Sequence, residues 1–172
     1  MTISLHHALV PQWIQLLGSV EGLLDKAAAW CEHEKKDPET VLGAKLAPDM
    51  FDFVYQVKST WVHSIGAVEG VRAGTFSPDM SKPERSFSSL KARTREVIEQ
   101  LRALDEAEFE GFTGNDMEFR FGEYRKPFDA DEFLLSFSLP NFFFHVTAAY
   151  AILRNLGVDV GKMDYMGAMR GR

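Results

Sequence analysis

The chain has 172 residues, of which 45% are hydrophobic and 26% charged, with fourteen phenylalanines; such a mixture builds a buried core and lies far from a disordered composition. The length suits one domain over residues 1–172. A net charge of −6 with Lys and Arg scattered along the chain excludes the basic face that nucleic acids or anionic membranes require.

Leu9, Trp13, Leu16, Leu17, Val20, Leu24, Ala27, Ala28 and Cys31 recur at gaps of three and four, which marks one face of a long first helix. Pro11 lacks a backbone donor, so it either begins that helix or kinks it near its first turns. The helix is expected to end between Glu32 and Lys36. Asp37-Pro38 then opens a connector with one short helix, Glu39 to Lys45.

Pro48 suits the first turn of a second helix, with Asp49 at the positive end of its dipole. Met50, Val54, Val57, Trp61, Ile65 and Val68 give that helix one continuous apolar face, which Gly70 and Gly74 bring to an end. Ser77-Pro78-Asp79 predicts a turn. Ser81 and Glu84 have capping-box spacing around Pro83. Phe87, Leu90, Thr94, Val97, Leu101 and Leu104 form the seam of a third helix, with Lys91, Arg95, Glu99 and Arg102 facing solvent.

Between Asp105 and Ser138 the helical pattern fails. Met117 to Phe121 alternates apolar and polar, Gly122-Glu123 can turn, and Tyr124 to Phe128 can return. This predicts a short β-hairpin or irregular insertion before the last helix, of a length that often covers or lines a site. The last helix should start near Ser138-Leu139-Pro140 and stop at Gly157. It is apolar almost all round, which makes it the central element, and Arg154 suits the dipole of its last turn. The Gly- and Met-rich tail, Val158 to Arg172, is expected to be part ordered and part frayed. The fold class is all-α, a four-helix bundle.

In so apolar a helix the polar residues stand out. Asn141 and His145 are four apart and share a face, the spacing at which two helical ligands grip one metal ion. The alternative is that Asn141 helps cap the helix start while His145 is a buried imidazole with ordinary hydrogen-bond partners. His63 lies seven residues after Gln56, about 10 Å further along an undistorted helix, and reads as a surface or core-edge histidine. His6 and His7 read as ordinary terminal residues, and Cys31 as a small buried hydrophobe. Phe142, Phe143 and Phe144 suit a core or a subunit interface. Asp49 is a helix-start residue first and a pocket acid second.

The run Asn141-Phe-Phe-Phe-His145 through Arg154-Asn-Leu-Gly157, continuing to Asp164, resembles the last helix of the DinB/YfiT-like superfamily. Members are four-helix bundles that commonly bind a metal through HxxxHRGQ, followed by a leucine-arginine and a glycine. Setting Arg154 and Gly157 on that ending places His145 on the second histidine and Asn141 on the first. The third ligand of the family comes from the second helix, where Gln56 is the counterpart. Met1-Thr-Ile-Ser4, Leu46-Ala-Pro-Asp-Met-Phe51, Leu139 to Arg154 and Gly161-Lys-Met-Asp164 further resemble a bacterial domain-of-unknown-function branch of that superfamily, over nearly the full length.

The resemblance implies the bundle and a site at Gln56, Asn141 and His145, but the donors differ. Three histidines make a good zinc site, whereas neutral amide oxygens are poor ligands for zinc or nickel. The expectation is a degenerate metal site with no cofactor, in a non-catalytic bundle that binds a small molecule near Gln56, Asn141, His145, Tyr150 and Asp49. One alternative is a metal-independent or thiol-dependent transferase-like enzyme, with His145 as base or ligand anchor and Gln56 and Asn141 orienting the substrate. Another is a divalent-metal-binding protein. A homodimer is the expected assembly. The start of the chain lacks the basic residues and apolar run of a secretion signal, and with a single cysteine the expected location is the cytoplasm.

Overall fold

A computed structural model describes residues 3–171. Met1, Thr2 and Arg172, which fall in the N-terminal segment and tail considered above, lie outside the described residues. Helix α1 (Leu5–His33) is capped by Ser4, whose Oγ accepts from the His7 N–H at 3.1 Å. Pro11 lies inside this helix, not at its start. A short α2 (Glu39–Leu42) occupies the connector.

The second bundle helix departs from expectation in two ways. It starts at Phe53, not at Pro48, because Asp52 accepts the Tyr55 N–H at 3.0 Å and caps it. The same carboxylate takes a hydrogen bond from Arg85 at 2.8 Å, which ties this helix start to the third bundle helix's approach. Asp49 sits exposed in the preceding turn and not at the helix start; a proline suits a turn as well as a first helical position.

Second, the helix is broken. α3 (Phe53–Val62) and α4 (Ile65–Arg72) are separated by His63 and Ser64, with Ser64 at φ −121°, ψ −94°. The Ser64 hydroxyl turns back onto the Thr60 carbonyl at 2.7 Å, an internal bond that competes with helical continuation. The His63 carbonyl accepts from Ser138 Oγ at 3.0 Å. The apolar series Trp61, Ile65, Val68 crosses the break unchanged, so hydrophobic spacing gave no sign of it.

Strand β1 (Thr75–Phe76) follows, then an irregular strap over residues 77–86. Lys58, almost fully buried, pins this strap: its ammonium donates to the Asp79 carbonyl at 2.8 Å and to Ser81 Oγ at 3.0 Å. Ser81 is therefore not a helix cap. Ser86 caps α5 (Phe87–Arg102), accepting the Ser89 N–H at 3.1 Å.

After a short α6 (Glu106–Glu110), strands β2 (Asp116–Phe121) and β3 (Tyr124–Asp129) form the expected hairpin, turning at Gly122 with φ +56°. The sequence did not reveal that β1 adds to β2 in parallel, giving a three-stranded sheet ordered β1-β2-β3. A single turn, α7 (Ala130–Glu132), leads through a π-helical stretch (Phe133–Ser138) into α8 (Leu139–Leu156), which ends at Gly157 in the left-handed conformation, φ +86°. Helix α9 (Lys162–Met166) folds back on α1, with Gln15 Nε2 donating to the Met166 carbonyl at 2.7 Å.

Helix α1 packs beside α5 and α8, and α3 packs beside the same two, which closes the four-helix bundle. Phe142, Val146, Ala149, Ile152 and Leu153 give α8 its buried face, whereas Phe144 is 54% exposed. Among the described residues no helix is long and apolar enough to cross a membrane.

The two glycines of α4 should respond oppositely to the same change. A Cβ at Gly70 would meet Phe76 at 3.0 Å, whereas one at Gly66 meets nothing nearer than the Trp61 carbonyl at 3.5 Å. In urea denaturation, Gly70→Ala should lose about 1–2 kcal/mol by overpacking, and Gly66→Ala should be neutral or gain up to about 1 kcal/mol.

Candidate functional site

Gln56 is 1% exposed, on the face of α3 that meets α8. Its Nε2 donates to the Phe51 carbonyl at 3.0 Å, and its Oε1 lies 2.8 Å from His145 Nδ1. Flipping the amide would set its oxygen against the Phe51 carbonyl, two acceptors face to face, so the orientation is fixed. Because Oε1 only accepts, His145 Nδ1 carries the proton. A neutral ring then keeps a free lone pair on Nε2.

The helix break turns His63 inward. It is 7% exposed, and its ring lies 5.6 Å from that of His145 at an interplanar angle of 12°. Phe76 and Phe137 flank it at 5.7 and 5.8 Å, and its Nδ1 is buried without a hydrogen-bond partner. Burial, and secondarily the neighbouring His145, push the His63 pKa down to about 3. Burial alone pushes His145 down to about 4. Both rings are neutral at physiological pH.

The two histidines line a cleft of about 260 Å³ between α3, α8, the strap and β2. Phe51 stacks on Tyr55 at 3.8 Å, and the Tyr55 hydroxyl donates to Met80 Sδ at 3.1 Å. Phe51, Met80 and Phe121 form an apolar rim, each about half exposed.

Of the residues expected here, Gln56 and His145 come together. Asn141 Nδ2 donates instead to the Phe137 carbonyl at 2.7 Å, and Asn141 does not line the cleft. Tyr150 packs edge-on against Tyr165 of α9 at 5.8 Å, away from the cleft. Asp49 stays in its exposed turn. His63, read as a surface or core-edge residue, is the one the sequence missed; the signal lay in Ser59, Thr60 and Ser64, polar residues placed at the core. Cys31 is buried, and burial pushes its thiol pKa up, which suits a packing role.

The donor set does not fit the superfamily's metal ion. The Gln56 oxygen is engaged by His145, Asn141 is turned back on its own helix through Nδ2 and does not line the cleft, and Asp79, the carboxylate of the cleft, is paired to Lys58 at 3.0 Å. Among the described residues no group of three or more His, Cys, Asp or Glu is placed to hold a metal ion.

Residues 5–166 match the family described as Domain of unknown function (DUF1993). Among solved structures, a DinB family member protein from Shewanella denitrificans is 30% identical, with 98% of this chain and 94% of that chain covered and a TM-score of 0.83. No curated protein matches the chain.

The lowered histidine pKa values set a pH dependence. Unfolded histidines bind protons near pH 6.5, whereas His145 and His63 resist them down to about 4 and 3. Their contribution is complete above pH 6.5 and is lost as pH falls through that window, by at most about 1.4 kcal/mol per pH unit for each ring. Urea denaturation across the window should show stability falling with acidification, and His145→Gln should remove about one proton's share of the slope.

Proposed function

This chain belongs to the domain-of-unknown-function family DUF1993 of DinB-like bundles, and on that footing we propose that it is a metal-independent small-molecule-binding protein. Its ligand has an apolar body and a hydroxyl or thiol, which enters the histidine cleft and donates a hydrogen bond to His145 Nε2. The observation that carries this reading is the Gln56 amide, held by the Phe51 carbonyl so that it fixes His145 with Nδ1 protonated and Nε2 free. The rim of Phe51, Met80 and Phe121 supports it, since clustered exposed apolar side chains around a concave site suit an apolar ligand.

Transferase chemistry on a thiol is the second reading, and the histidine disfavours it. With His145 near pKa 4, full proton transfer from an ordinary thiol is uphill by roughly 6 kcal/mol. Such an imidazole accepts a hydrogen bond more readily than it takes a proton.

The test uses 4-methylphenol and its methyl ether, titrated by calorimetry into protein purified without a histidine tag. The phenol should bind at least about fivefold more tightly than the ether, the worth of one hydrogen bond, and His145→Phe should erase the difference. Metal analysis of the same protein should find no stoichiometric transition metal. Equal binding of both probes, or one bound metal per chain, would contradict the proposal.

A further inference from the structure

We propose that a second cavity binds an organic ammonium ion with an apolar body. It lies between α3, α4, α5 and the strap, shares Val62 and Asp79 with the histidine cleft, and has a volume of about 660 Å³, within the range of small-molecule sites. Trp61, Ile65, Phe76 and Leu90 supply its apolar wall. The Trp61 ring is fixed by its indole N–H, which donates to Thr94 Oγ1 at 3.0 Å. Gly66 and Gly70, next to Ile65 and Glu69 on α4, leave room at two positions of that wall.

The charges around the cavity decide the ligand class. Of the lining cations, Lys58 is paired to Asp79 at 3.0 Å and otherwise committed to the strap, and Arg93 is paired to Glu96 at 2.8 Å. Glu69 and Glu84, both exposed, also line the cavity and form no ion pair among the described residues; Arg72, which acts on Glu69 at longer range, is itself paired to Glu108 at 2.7 Å. Both positive groups are spent, so the two free carboxylates set the field there. An anion would be repelled, and a neutral ligand would leave both carboxylates unused.

A third acceptor points the same way. Thr75 lines the cavity, and its Oγ1 is buried with no hydrogen-bond partner. A buried polar atom without a partner is uncommon and calls for an explanation. A primary ammonium has three N–H donors, and it gains further from an aromatic face such as that of Trp61. The ligand class is therefore an arylalkyl or alkyl primary amine, different in charge from the ligand proposed for the histidine cleft.

Calorimetry at low ionic strength with 4-phenylbutylamine, 4-phenylbutanol and 4-phenylbutyrate tests this directly. The amine should bind about two- to fivefold more tightly than the alcohol, and the acid more weakly than either. The double variant Glu69→Gln, Glu84→Gln should remove the amine's advantage. Gly66→Leu should block amine binding by filling the cavity from a position with room for a Cβ, with Gly66→Ala as a milder version that weakens it. His145→Phe should leave amine binding unchanged, which keeps this site's outcome separate from that of the histidine cleft. Equal binding of amine and alcohol, an advantage that survives loss of both carboxylates, undiminished binding to Gly66→Leu, loss of amine binding in His145→Phe, or no amine binding at all would each overturn the proposal.

Discussion

A buried primary amide must satisfy both its ends, and that requirement at Gln56 organises the candidate site. Its nitrogen has one available acceptor, the Phe51 carbonyl, and its oxygen faces His145. Leaving either end unpaired in a position 1% exposed would cost about 1–3 kcal/mol. The pair of bonds therefore joins the approach to α3 with the middle of α8, and it sets both the tautomer and the tilt of the histidine. The amide thus serves as the orienting partner of the histidine.

The break at His63 and Ser64 is the second device. A continuous helix would carry His63 away from Gln56 along its axis. The break, supported by Ser64 on Thr60 and by Ser138 on the His63 carbonyl, lays its ring against His145 instead. Burial disfavours protonation of both imidazoles, and His145 adds to the effect on His63, so the site remains uncharged. It also sends α4 toward the sheet, where Gly70 allows Phe76 to approach closely. One local distortion thus builds the histidine cleft and shapes the neighbouring cavity lined by α4.

Much of the fold was legible because helical spacing reports burial. The faces of α1, α5 and α8, the hairpin at Gly122 and the stop at Gly157 all follow from local rules that packing reinforces. What escaped depended on partners distant in sequence. Ser81 and Asp49 had the local chemistry of helix starts, but Lys58 claimed the Ser81 hydroxyl, and Asp52, three residues after Asp49, took the capping role. Strand β1 is two residues long and exists only because β2 lies beside it. At the site, helix periodicity and the family resemblance together reached Gln56 and His145. For Asn141 the spacing left two readings open, and the side chain bonds back to Phe137 on its own helix, although it shares a helical face with His145. His63 was misjudged because periodicity assumes an unbroken helix.

The central claim is that Gln56 holds His145 as a neutral ring with its proton on Nδ1. Long-range ¹H–¹⁵N correlation spectra of the imidazoles measure this directly. The account predicts a protonated Nδ1 and an unprotonated Nε2 for His145, unchanged as pH is lowered past 6.5 toward about 4, and a loss of that single tautomer in Gln56→Leu. A His145 ring that carries its proton on Nε2, or that titrates near 6.5 like a free histidine, would contradict it.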